Sequence, residues 1–234
     1  MPSPPTAASR HPHLADPRPP GSVRVDLHSH TMWSGDSTTT PDELEQAVIA
    51  CGIDVLCITD HNAIKGALEL EHRLPCRVIV GEEVRTTRGE IIGLFINERV
   101  PHGLTPADAA SAIRAQGGIV YVPHPFDPVR HNLAEDAIRD LARSGLVDAI
   151  EVFNAKTSLQ HLNQLASDLA IELALAPGGG SDAHVPDALG AAYAEIDDFD
   201  SPTDFLDRLR RGKVVGHHWD QARPWRPRII PSTS

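Results

Sequence analysis

Residues 53–62 read Ile53-Asp54-Val55-Leu56-Cys57-Ile58-Thr59-Asp60-His61-Asn62. The apolar part is nearly continuous, the pattern of a strand covered on both faces, as strands are in parallel sheets. Its end is abruptly polar and carries residue types that bind metal. The same grammar recurs along the chain. Val25-Asp26-Leu27 runs into His28-Ser29-His30, and Val78-Ile79-Val80 into Gly81-Glu82-Glu83. Ile119-Val120-Tyr121-Val122 runs into Pro123-His124-Pro125, and Ala149-Ile150-Glu151-Val152-Phe153 into Asn154. Leu173-Ala174-Leu175 leads through a glycine loop into Ser181-Asp182-Ala183-His184.

Helical patterns separate these runs. Thr40-Pro41-Asp42-Glu43 is a capping box with proline at the first helical position, and Leu44, Ala47, Val48 and Cys51 share one face before Gly52 stops the helix. Thr105-Pro106-Ala107-Asp108 opens a second helix that ends at Gly117-Gly118. Leu159, Leu162, Leu165 and Leu169 mark a third, and a last helix over residues 203–211 precedes Val214-Val215. Alternating strands and helices predict parallel β/α units. The expectation is one α/β domain over residues 23–218, a barrel or barrel-like sheet. The C-terminal strand ends of such barrels converge on one mouth, so ligand-type residues distant in sequence would meet there.

The 234 residues carry 21 Lys and Arg against 32 Asp and Glu, a net charge of −11, which excludes a general nucleic-acid binder. No window reaches the ~20 apolar residues of a membrane span. Cys51, Cys57 and Cys76 lack the spacing of a disulfide framework or zinc finger, and read as reduced, buried thiols of a cytoplasmic protein. Proline-dense residues 1–22 have no apolar run of a secretory signal and are expected to form a flexible tail, with residues 219–234 a second tail. His11 and His13 have the spacing of a metal pair, but a flexible tail does not preorganise ligands.

The chain has 13 histidines, and their placement points to metal. Residues i and i+2 of a strand point the same way, so His28 and His30 can present two imidazoles to one ion, and Asp182 and His184 repeat the spacing. Imidazole with carboxylate suits Zn, Mn or Fe better than Ca or Mg. A buried crowd of such groups needs cations to offset its charge.

The motifs HSH (28–30), TDHN (59–62), the glutamate after VIVGE, VPHPF (122–126) and GSDAH (180–184) resemble those of the PHP (polymerase and histidinol phosphatase) superfamily. The resemblance implies a distorted (β/α)7 TIM-like barrel with two or three divalent ions at its mouth, and phosphoester hydrolysis. It places His28, His30 and Asp182 on a first ion, with Glu83, rather than Glu82, bridging to a second held by His124. His61, His184 and Asp36 would hold a third. The strand ending at Asn154 is where relatives place one more ligand, for which Asn154, as a carbonyl donor, and Glu151 both stand. Asp60 is expected to orient a histidine or to ligate directly, and His161 is a reserve. Asp60, His61 and Arg130 are read as the catalytic residues. Arg130 and Arg85 are the cations suited to outer phosphate oxygens, since forked guanidinium groups match phosphate. His72, His102, His131, His217 and His218 are expected to have no role.

The expected reaction is metal-dependent hydrolysis of a phosphoester by a metal-activated water at a di- or trinuclear site. The substrate would be a small phosphorylated metabolite, a nucleotide or an oligonucleotide end, with residues 126–134 setting specificity. Two alternatives stay open. An amidohydrolase-like enzyme would call for a carboxylated lysine, and none of Lys65, Lys156 and Lys213 falls at a ligand position. A metal-stabilised barrel acting as a binding or regulatory module would carry the ligands without turnover.

Overall fold

The structure, a computed structural model, describes residues 6–219. In chain order its elements are α1 (Ala7–Arg10), β1 (Ser22–Ser29), α2 (Pro41–Cys51), β2 (Val55–Ile58), α3 (Lys65–Leu70), β3 (Arg77–Thr86), β4 (Gly89–Leu94), α4 (Pro106–Ala115), β5 (Ile119–Val122), α5 (Glu135–Arg143), β6 (Ala149–Asn154), α6 (His161–Glu172), β7 (Ala176–Gly180), β8 (Ala192–Asp197), α7 (Pro202–Arg211) and β9 (Lys213–Gly216). The strands form one sheet in the order β7-β6-β5-β4-β3-β2-β1-β8-β9. Pairing is parallel except where β4 lies between β3 and β5 and where β8 lies between β1 and β9. The other seven strands therefore share one direction, and β4 and β8 oppose it.

The sheet rolls into a nearly closed barrel. Its two ends meet: a Cβ placed on Gly179 of β7 would lie 2.6 Å from Val214 of β9. A parallel bridge between Ser29 and Ala183 joins the ends of β1 and β7. Alternation along the strands sorts side chains between two cores, as a pleated strand buried on both faces requires. Val55 and Cys57 face the barrel interior with Leu27, Ile92 and Tyr121, whereas Leu56 and Ile58 pack outward against Leu44, Val48 and Leu70 of the helices.

Local chemistry explains the helix starts. Thr40 accepts from the Glu43 N–H while Glu43 accepts from the Thr40 N–H, and Gly52 ends α2 in the left-handed region. Thr105 caps α4 in the same way through the Asp108 N–H. The leucine stripe read as a helix forms α6, but Leu162 and Leu169 are buried with Ala166 and Ala170, and Leu159 and Leu165 are exposed.

Three features depart from the sequence reading. The glycine run expected as a loop is itself strand β7, because the packed interior leaves no room for side chains there. Residues 78–83 do not end at Glu83 either: β3 continues to Thr86 and returns as β4. Residues 6–22, within the expected flexible tail, are laid on the barrel with His11 fully buried. Residues 1–5 and 220–234 of the two expected tails lie outside the described residues. No helix among the described residues is long and apolar enough to cross a membrane.

Candidate metal centre

Loops and strand ends at one mouth bring together nearly every residue the sequence singled out. Four groups of ligand atoms each lie within 4.8 Å of one another: His28, Glu83 and His124; His28, His30 and Asp182; His30, Asp36, His61 and His184; and His61, Glu83 and Glu90. Glu83 is the hub. Its carboxylate is 2.8 Å from His124 Nε2, 3.2 Å from His61 Nδ1 and 3.3 Å from His28 Nε2. Strand alternation turns Glu82 the other way, where it accepts from the Val100 N–H at 2.7 Å.

The donor set fits divalent cations. His28 Nε2 and His30 Nε2 lie 3.0 Å apart with Glu83 and Asp182 oxygens beside them. Two imidazole lone pairs so placed repel unless a proton or a cation sits between them. His124 Nδ1 is buried without a hydrogen-bond partner. His124 and Asp182 both hold positive φ, 28° and 49°, a conformation costly for side-chain-bearing residues and concentrated at functional sites.

Electrostatics follow from this crowding. Burial opposes ionisation of Glu83, yet His28, His124 and His61 hold it well below the usual carboxylate range. Burial likewise opposes Asp182, and Lys156, Arg130, His28 and His184 hold it well below. Burial alone would lower His28, but Glu151, Glu83 and Asp182 raise it well above its ordinary value. His30 goes the other way, lowered well below by burial and by His184 and His28. At the solvent side burial lowers His61, while Asp36, Glu83 and Glu90 lift it to about 9. Burial raises Asp36, but His184 and His61 bring it below its normal range.

Three expected residues have different duties. Asp60 makes its hydrogen bonds to Thr31 and not to a histidine: its oxygens accept from the Thr31 N–H and hydroxyl, both at 2.6 Å, and so pin the loop that follows His30. Asn154 does not turn its carbonyl to the cluster. That oxygen accepts from the Lys156 N–H at 2.8 Å, a local turn, and the amide donates to Glu151 and Asp182 at 2.9 and 3.3 Å. Glu151 lies behind the cluster, 3.2 Å from His28 Nδ1, and accepts from the His124 N–H at 2.6 Å. A carboxylate in that position fixes the tautomer and orientation of a metal-binding histidine. His161 starts α6 in an exposed position, away from the four groups.

Arg130 reaches the centre, its Nη2 3.1 Å from Asp182 Oδ2. Lys156, which the sequence reading left unplaced, lies 3.4 Å from Asp182 Oδ1 and 2.8 Å from His184 Nδ1. Its position two residues beyond a strand-end asparagine was the available signal. Glu90 was also missed, since only the unforeseen β4 brings it to the mouth. Arg85, Glu90, Arg130 and His131 line, with Asp36, His61, Glu83, His124 and Asp182, a cleft of about 360 Å³.

Comparison with known proteins agrees with this architecture. Residues 160–214 match a family model described as PHP-associated. An uncharacterized protein of Methanocaldococcus jannaschii is 38% identical over 162 residues, 64% of this chain and 90% of that protein. A second uncharacterized protein of the same organism is 34% identical over 197 residues, 80% of this chain and 79% of that protein. Among solved structures, a two-domain protein of Bacteroides vulgatus containing a predicted PHP-like metal-dependent phosphoesterase has the same fold, with a TM-score of 0.69 at 19% identity over 86% of this chain and 67% of that one. The chain belongs to one family with the two archaeal proteins, 90% and 79% of whose length it covers, and it joins to that a PHP-associated C-terminal match and the barrel of a PHP-like protein.

Proposed function

We propose that the protein is a metal-dependent phosphoesterase that hydrolyses a small phosphorylated metabolite or a nucleotide. The observation that carries this reading is the convergence of five histidines, Glu83, Asp36 and Asp182 on one mouth, with Arg130 and Lys156 at its edge. His28, His30 and Asp182 would hold one ion, with Glu83 bridging it to a second held by His124, and His61, His184 and Asp36 would hold a third, the metals being Zn, Mn or Fe. Bound there, such ions supply charge neutralisation for phosphoryl oxygens and acidify a nucleophilic water.

The remaining work falls to the protein's own groups. Arg130 and Lys156 balance Asp182 and stand where outer phosphate oxygens would be met, and Arg85 lies across the cleft. Glu151 orients His28, and Asp60 holds the loop through Thr31. The net negative chain is no obstacle to an anionic substrate, because local cations dominate the field at the mouth.

The test is a panel of phosphate mono- and diesters offered to protein loaded with Mn or Zn. Turnover is expected, and His30→Ala and Asp182→Ala should each lower it by at least ~10³-fold, equivalent to ~4 kcal/mol of transition-state stabilisation, with far-UV circular dichroism unchanged. Fully metallated protein that turns over no ester would overturn the proposal.

A further inference from the structure

Glu90 stands outside the three ligand groups assigned above, yet it is built into the same mouth. Strand β4 carries it opposite Arg85 in the β3–β4 ladder, and its N–H donates to the His131 carbonyl at 2.8 Å. Its side chain is only 6% exposed, and its contacts are long: 3.8 Å from Oε1 to His61 Nδ1 and 3.9 Å to Arg85 Nε. Among the described residues no hydrogen bond reaches this carboxylate, whose oxygens open on the cleft. Burying a carboxylate without hydrogen bonds or a close counter-ion is heavily penalised. The side chain nonetheless lines the cleft, with ligand atoms of His61 and Glu83 within 4.8 Å.

We infer that Glu90, His61 and Glu83 form an additional divalent-cation position on the outer rim of the mouth, fit for Mn²⁺ or a similar ion. Imidazole with two carboxylates is a donor set for such metals. The assignment changes the part played by His61. A neutral imidazole has one lone pair and one N–H, so an ion held through Nδ1 leaves Nε2–H to donate to Asp36, 3.5 Å away. Asp36, His30 and His184 then remain for the inner ion on that side. His61 thus leaves the inner ion to those three groups, and Glu90 draws it to the rim.

The inference rests on the metal-centre reading above, and its readout is metal binding rather than turnover. Full-length apoprotein is dialysed against graded free Mn²⁺, bound metal is counted by elemental analysis, and folding is followed by circular dichroism. Wild type is expected to bind about one equivalent more than Glu90→Gln, or to show one binding step weakened in the variant by about 10–100-fold. Glu90→Asp, which keeps the charge on a shorter arm, should weaken the same step less and decides the matter if Glu90→Gln melts without a cooperative transition. Equal stoichiometry and equal affinities in wild type and variants would overturn the role of Glu90 alone. A wild-type protein that binds no Mn²⁺ would remove the metal centre and this position with it. Mn²⁺ binding without esterase activity would overturn only the proposed function.

Discussion

Two groups of histidines in this protein show what turns imidazoles into a metal centre. At the barrel mouth His28, His30, His61, His124 and His184 face carboxylates of Asp36, Glu83, Glu151 and Asp182. Where the N-terminal segment meets the end of β9, His11, His13 and His217 are just as close, with ring centroids 5.1 Å apart for His11 and His217. Their polar partners differ. His11 donates through Nε2 to the Asp187 carbonyl, His13 donates to the Gly190 carbonyl, and the Trp219 and Tyr193 rings pack beside them. Neutral carbonyls and aromatic faces bring no countercharge to outweigh burial, which favours neutral imidazole. Burial accordingly lowers His11 to about 4, opposite in direction to His61 at about 9. Proximity alone does not distinguish the clusters; the carboxylate complement does.

The sharpest way to break this contrast is to remove a carboxylate that supports the mouth without lining the cleft. Glu151→Gln keeps the shape and its acceptor for the His124 N–H but loses the charge beside His28. It should lower metal affinity, and with it activity, by about 10–100-fold, measured by competition against a chromogenic chelator. Affinity equal to wild type would mean that Glu151 is only a packing residue. Chelation is the next test. Bound ions stabilise the fold by mass action, ~2.7 kcal/mol at a hundred times Kd, so EDTA should lower the Tm of the metal-loaded protein by about 5–10 °C. The apoprotein should still fold, because Arg130 and Lys156 neutralise Asp182 and the histidines neutralise Glu83. A Tm indifferent to EDTA would argue that the mouth holds no ion.

The contrast also explains what could be read from the chain and what could not. Ligand types at the ends of apolar runs were legible because a parallel barrel brings strand ends together whatever lies between them. The strand turns Glu83 to the mouth and Glu82 away from it, since neighbouring residues of a strand face opposite ways. Glu90 was hidden by topology: it reaches the mouth only because β3 turns back at Thr86. Strand β7 was hidden by composition, since Pro177 and three glycines are poor strand formers by propensity. The fold needs them there, because a Cβ on Gly180 would collide with His28 and Glu151. Asp60 and Asn154 were placed in the right neighbourhood but not in the right duty. Side-chain hydrogen bonds to nearby backbone decided both, and pattern does not encode these. His11 looked like part of a loose tail because proline density carries no information about what surface a segment covers.

The smallest expected effect concerns His11 and probes the carbonyl-lined cluster directly. Its folded-state value of about 4 lies below the ordinary 6.5, so the folded state resists a proton that the unfolded chain accepts. Above 6.5 both states are neutral and His11 adds no pH dependence. As the pH falls from 6.5 toward 4 the unfolded chain gains protons first, and stability declines. At ~1.36 kcal/mol per pH unit of separation, the loss attributable to His11 is on the order of 1–3 kcal/mol. Urea unfolding of metal-free protein at pH 7 and pH 4.5 measures it. His11→Gln, which cannot titrate, should be less stable than wild type at pH 7 but lose less on acidification. Because His11 lies outside the mouth, the variant should keep wild-type turnover and metal content. An acid-stability slope unchanged in His11→Gln would show that this cluster does not carry the titration, and that imidazoles facing carbonyls are not held neutral here.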